Sequence, residues 1–239
     1  MDDIDPFALH MRQPTVSRPL LGLTVLVVED SRFASEALRL MCLRSGARIR
    51  RADSLRSARR HLKVYMPTVA IVDIGLRDGS GVELIRDLSE SPGNTAIIFG
   101  MSGETDGEMA AKRAGAVGFL AKPVTSLVEF QELILSHLPE DRRPTGLRPI
   151  SDEQISPDPL ALQDDLAHVV DVLGNARDPE TVNYVAQFLR SVATSANDAP
   201  LLKAVQALQH GREDALHASK AVERLAGLVQ ERLNHRSAV

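Results

Sequence analysis

Three carboxylates in this sequence stand at the ends of short apolar runs. Glu29 and Asp30 close the run Leu23 to Val28, and Asp73 closes the run that begins at Thr68. Continuous apolar runs of this length suit strands covered on both faces, so the acids emerge at strand ends. In a parallel sheet these two strands can be neighbours, and the three acids then converge on one pocket. Clustered carboxylates repel each other and need compensation. A hard cation such as Mg²⁺ supplies it, because it takes oxygen ligands and keeps several waters. A carboxylate beside Mg²⁺ can attack a phosphoryl group, since the metal neutralises charge on the transferring oxygens.

Two further residues fit the same chemistry. Lys122 follows the apolar stretch Val117 to Ala121 and precedes Pro123. Its ammonium is a point charge that suits a carboxylate or phosphate oxygen. Ser102 follows the stretch Thr95 to Met101, where its hydroxyl can donate to a phosphoryl oxygen. Taken singly, each residue has a plainer reading: a helix cap, a turn or a solvated lysine. Their shared placement at strand ends carries the argument.

The elements that must hold these residues alternate regularly from Leu23 onward. Ala34, Ala37, Leu38 and Met41 have helical spacing and stop at Gly46. A weak strand near 47–52 is followed by a helix over 54–65. Val82, Leu84, Ile85 and Leu88 mark another helix, 104–114 a fourth, and Leu127, Phe130, Ile134 and Leu138 a fifth. Five strands alternating with five helices predict an α/β fold, a five-stranded parallel doubly wound sheet. Such a sheet binds its ligand outside the carboxyl ends of its strands.

The sequence divides into an N-terminal tail (1–20), the α/β domain (21–139), a linker (140–159) and an all-α module (160–239). Proline marks both the tail and the linker, and the linker is expected to let its neighbours move. In the module, one stripe holds Leu162, Leu166, Val169, Val170 and Leu173. Asp178-Pro179 opens a second helix with Val182, Val185, Leu189 and Val192. Leu201, Leu202, Val205 and Leu208 mark a third, and Ala218, Val222, Leu225, Val229 and Leu233 a fourth. Four helices with short connections predict a small bundle or two helical hairpins.

The α/β segment resembles the receiver domain of bacterial two-component response regulators, which has a flavodoxin-like sheet. The resemblance rests on Val25-Leu26-Val27-Val28-Glu29-Asp30, on Val72-Asp73 followed by Asp78-Gly79-Ser80-Gly81, on Ser102-Gly103, and on Gly115 through Pro123. It implies that Asp73 is the phosphoacceptor. Asp30 would be a direct metal ligand, Glu29 would act through water, and Gly75 would offer its backbone carbonyl. Ser102 and Phe119 would form the switch pair, and Lys122 would contact the phosphoryl group. The implied cofactor is Mg²⁺, and the implied partner is a sensor histidine kinase or a phosphotransfer protein. Two positions depart from the pattern. Arg77 stands where proline is frequent, and Gly100 interrupts a strand.

The expected function is therefore phosphorelay signalling, in which phosphorylation of Asp73 switches the helical module. That module is expected to engage a protein target or to dimerise, and the chain is expected to have no enzymatic activity beyond self-phosphorylation from a phosphodonor and slow self-dephosphorylation. Three alternatives stand beside this reading. His217 and Lys220 have the spacing of a phosphotransfer motif, but Ser219 and Ala221 replace its leucine and glycine. A DNA-binding output meets only eight scattered Lys or Arg residues beyond residue 160. A Mg²⁺-dependent hydrolase with an aspartate nucleophile lacks a second acid, since Ile74 and Gly75 follow Asp73.

Bulk properties narrow the classes. Of 239 residues, 44% are apolar and 25% charged, the balance of a globular protein. A net charge of −4, with 3% aromatic residues and no Trp, argues against nucleic acid and anionic membranes. The single Cys42 excludes an internal disulfide and a cysteine zinc cluster. The acidic start and the lack of a run of about 20 apolar residues predict a cytoplasmic protein.

Overall fold

The structure, a computed structural model, describes residues 13–93, 96–104, 106–146, 153–175, 179–210 and 225–233. The N-terminal part is an α/β sandwich. Strands β1 (Thr24–Val28), β2 (Arg48–Ala52), β3 (Val69–Asp73), β6 (Ile97–Ser102) and β7 (Gly118–Ala121) form one sheet in the order β2-β1-β3-β6-β7. All its pairings are parallel. A two-stranded hairpin, β4 (Gly75–Leu76) with β5 (Gly79–Ser80), follows β3 and was not anticipated. Helices α1 (Arg32–Ser45), α2 (Leu55–Leu62), α3 (Gly81–Glu90) and α4 (Gly107–Arg113) connect the strands, and α5 (Leu127–Ser136) follows β7.

The local chemistry explains these boundaries. Ser31 caps α1 by accepting from the Ala34 amide at 3.0 Å, and Gly46, at φ 84°, ends the helix. Ser54, Ser80 and Ser126 cap α2, α3 and α5 in the same way. Along each strand the side chains alternate between two cores. Val25, Val27, Ile71, Phe99 and Met101 pack with α1 and α5 on one face. Leu26, Val28, Ala70, Val72 and Ile98 pack with α2, α3 and α4 on the other. Burying each large apolar side chain contributes about 1.5–3 kcal/mol.

Strand β2 gave the weakest apolar pattern because it lies at the sheet edge, with Arg48, Arg50 and Arg51 exposed. Charged side chains there discourage pairing with other chains. Gly100 also has a packing reason. A methyl group at this position would overlap Ala111 of α4 and press on Phe119 at 3.3 Å. Glycine lets α4 approach the sheet closely.

Two stretches at the expected boundaries pack against the α/β domain. At the end of the expected tail, Leu20 is fully buried, and its amide donates to the Ser45 carbonyl at 2.9 Å. The linker is anchored at 153–155. The Ile155 amide donates to Thr125 at 2.8 Å, and the Ile155 side chain enters the α/β core. In both places one apolar residue beside prolines joins the α/β core.

Beyond the linker stand α6 (Pro159–Asn175), α7 (Pro179–Ser195), α8 (Ala199–His210) and a helical stretch at 225–233. They share a separate core that includes Val169, Val185, Leu189, Val192, Val205 and Val229. Asp198 accepts from the Leu201 amide at 3.0 Å and pairs with Arg232, which ties 225–233 to the start of α8. Asp178, His217, Ala218, Lys220 and Val222 lie outside the described residues.

Candidate functional site

Strand order decides where the acids meet. β1 and β3 are neighbours, with Val28 in register with Val72. The next residues, Glu29, Asp30 and Asp73, therefore leave the sheet side by side, at the point where the strand order reverses. One oxygen from each of these three carboxylates lies within 4.8 Å of the others. Glu29 and Asp73 are each 3% exposed.

Lys122 is brought to them by β7. Its amide donates to the Ser102 carbonyl at 2.9 Å, which fixes the loop after β7 against the end of β6. Its buried ammonium lies 2.7 Å from Glu29 Oε2 and 2.9 Å from Asp73 Oδ2. Burial alone would lower the Lys122 pKa, but Asp73 and Glu29 outweigh it and hold the ammonium charged. Burial and the Asp73 charge push the Glu29 carboxyl well above its usual range. The same two causes raise Asp30 to about 7. One cation thus faces three acids, so the cluster remains short of positive charge.

The donor set fits a hard divalent cation. Asp30 Oδ1 is buried without a hydrogen-bond partner. Its other oxygen accepts from the Arg77 amide at 3.1 Å. An orphaned carboxylate oxygen among clustered acids is costly unless a cation completes it. The Gly75 amide donates to Asp73 Oδ1 at 3.4 Å, so the β4 turn folds back toward the acids.

Ser102 ends β6, where its hydroxyl accepts from the Glu104 amide at 3.0 Å. It borders, with Asp73 and Gly75, a small cavity of about 20 Å³. Phe119 is partly buried on the α4 side, in register with Gly100 on the neighbouring strand. The structure therefore gathers Glu29, Asp30, Asp73, Gly75, Ser102 and Lys122 at one sheet end and places Phe119 on the adjacent strand. Asp78, part of the resemblance, has a structural task. It caps α2 through the amides of Leu55 and Arg56, at 2.8 and 3.0 Å.

Four residues at this site come from the helical module, and sequence reasoning missed them. Ser191 Oγ accepts from Lys122 Nζ at 2.6 Å. The Tyr184 hydroxyl donates to Asp30 Oδ2 at 3.4 Å. Gln187 abuts Gly75, and a methyl group on Gly75 would come within 2.6 Å of its amide nitrogen. Asp165 of α6 accepts from the Ser31 hydroxyl at 2.7 Å and from the Arg32 and Phe33 amides at 2.8 and 3.0 Å. Positions 184, 187, 191 and 194 do form a polar stripe on α7, opposite its apolar one. Such a stripe normally faces water.

Comparison with known proteins agrees with this geometry. Residues 25–134 match the family model of the response regulator receiver domain, and this segment is such a domain. The KDP operon transcriptional regulatory protein KdpE of Escherichia coli is 34% identical over 99 residues, 41% of this chain and 44% of that protein. The transcriptional regulatory protein CitB of Klebsiella pneumoniae is 36% identical over 108 residues, 43% of this chain and 45% of that protein. The matches thus span less than half the length of these relatives. A receiver domain of a Pseudomonas aeruginosa sensor histidine kinase, described with magnesium in its active site cleft, aligns with a TM-score of 0.43 at 20% identity. That alignment covers 48% of this chain and 95% of the other. The relatives' names leave the expectation against nucleic acid without support. No described helix is long and apolar enough to cross a membrane.

Proposed function

We propose that this chain transmits a signal by accepting a phosphoryl group on Asp73 and reading it out through helices α6 to α8. The buried Lys122 ammonium, set between Glu29 and Asp73, is the observation that best supports this reading. The donor class is a phosphohistidine on a sensor kinase or phosphotransfer protein. An Asp73 oxygen attacks phosphorus. The new O–P bond forms as the P–N bond breaks, and the electron pair leaves on the imidazole, which takes up a proton. Mg²⁺ held by Asp30, Asp73 and the Gly75 carbonyl, and by Glu29 through water, would supply charge neutralisation at the transferring oxygens.

The chain's own residues do the rest. Lys122 exchanges a carboxylate oxygen for a phosphoryl oxygen. Ser102 turns its hydroxyl to donate to another, and Phe119 moves toward the space this frees. The phosphoryl group adds roughly −1.5 to −2 charge, and it acts by shifting a population between two states. Asp73→Asn tests the assignment. Uptake of radiolabelled phosphate from a phosphodonor should vanish while circular dichroism is unchanged. Undiminished labelling of the variant would sink it. A DNA-binding output for the module is the second reading, favoured by the names of the curated relatives. A mobility shift of duplex DNA by the full chain would support it.

A further inference from the structure

The module sits directly over the proposed phosphorylation site. Its contacts there are polar. Ser191 takes a hydrogen bond from Lys122, Tyr184 reaches Asp30, and Gln187 lies on Gly75. On the neighbouring face, Asp165 seats α6 on the first turn of α1. None of the residues in the module's apolar core belongs to the receiver cores, so the interface lies between two separately packed bodies.

The room left is too small for the reaction. The cavity bordered by Asp73, Ser102, Gln187, Arg190 and Ser191 measures about 20 Å³. One water needs roughly 10–15 Å³ by such a measure. A phosphoryl group adds a phosphorus and three oxygens to Asp73, several times that bulk. Ser191 Oγ also stands on Lys122 where a phosphoryl oxygen would have to bind.

We infer that α7 and the phosphoryl group compete for the same place, so that phosphorylation of Asp73 and docking of α6–α7 exclude each other. This inference rests on the reading of Asp73 as phosphoacceptor. Linkage makes the competition reciprocal. A docked module slows phosphorylation, and a phosphorylated Asp73 releases the module. Release uncovers the polar face of α7 and the acid pocket together. A polar interface is suited to this, because its hydrogen bonds are exchanged for water at little net cost. The module's own apolar core stays closed meanwhile.

A reversible bolt tests the inference. A methyl group built on Gly103 would lie 3.4 Å from the Thr194 β-carbon, close to the 3.5–4.5 Å that disulfides span. Gly103→Cys with Thr194→Cys in the full chain should cross-link α7 to the end of β6 on oxidation. The native Cys42 is buried and stays out of this exchange. Label uptake from acetyl phosphate should fall at least tenfold in the oxidised chain and return on reduction. Unchanged uptake in a chain shown by mass spectrometry to be bridged would overturn the inference. So would failure of the two thiols to bridge, or uptake at the normal rate followed by faster loss. A reduced chain and a wild-type chain that both stay unlabelled would instead overturn the reading of Asp73.

Discussion

The receiver and the helical module treat polar residues in opposite ways. In the receiver, charged side chains are drawn inside, where Glu29, Asp73 and Lys122 are nearly sealed from water. Their energy comes from one another, and the sheet around them sets their spacing. In the module the buried core is apolar, and the polar side chains stay on the helix faces. The two designs meet where one polar face of the module lies on the charged centre of the receiver. On the proposed reading, the receiver would change its charge at one atom, while the module would change its position without unpacking. A switch needs both properties, and neither half has them alone.

That contrast makes distinct claims about stability. Lys122→Ala should be the most damaging to the receiver. It leaves Glu29 and Asp73 buried without their cation, and removing one partner of a buried pair costs about 3–5 kcal/mol. Chemical denaturation followed separately in the two halves should show the loss in the receiver alone. Equal losses in both would merge the two bodies into one. Leu189→Ala should do the reverse. Leu189 is fully buried in the module core, and its truncation should cost about 2–5 kcal/mol there. The variant should still take up label at Asp73. Loss of both the module transition and the label would show that the receiver depends on its neighbour for folding.

The finest distinction concerns pH and magnesium. Burial and Asp73 raise Asp30 from 3.8 to about 7, so the folded receiver binds this proton more tightly than the unfolded chain does. The resulting stability is full below about pH 4 and is lost as pH rises through about 7. Magnesium needs the deprotonated carboxylate and should oppose the trend. At tenfold excess over its Kd, it should stabilise by about 1.4 kcal/mol. Thermal melts with and without magnesium should differ more at pH 8 than at pH 5. A larger effect at pH 5 would remove Asp30 from the metal site.

The receiver was legible in the sequence because its signals are local. The runs ending at Val28 and Asp73 are buried on both faces, so their apolar residues stand together. Their acids then mark the strand ends directly. The edge strand Arg48–Ala52 was faint for the opposite reason, since solvent faces most of its side chains. The β4–β5 hairpin was missed because two-residue strands carry no period. Asp165, Tyr184 and Ser191 were illegible as site residues. They lie on ordinary helix faces, and only the fold brings them to partners 69 to 154 positions away. Within the expected linker, the packing of Ile155 into the α/β core was not legible, because a single apolar side chain stands in a proline-rich stretch.

The Asp165 clamp on α1 has a consequence in time. Its three donors lie 132 to 134 positions earlier in the chain. At a synthesis rate of about 5–20 residues per second, the clamp reaches the ribosome exit roughly 7–27 s after the turn it will hold. During that interval Ser31 caps the helix alone, through the Ala34 amide. The residues of the acid pocket, Lys122 the last of them, therefore all leave the ribosome before the helices that cover them.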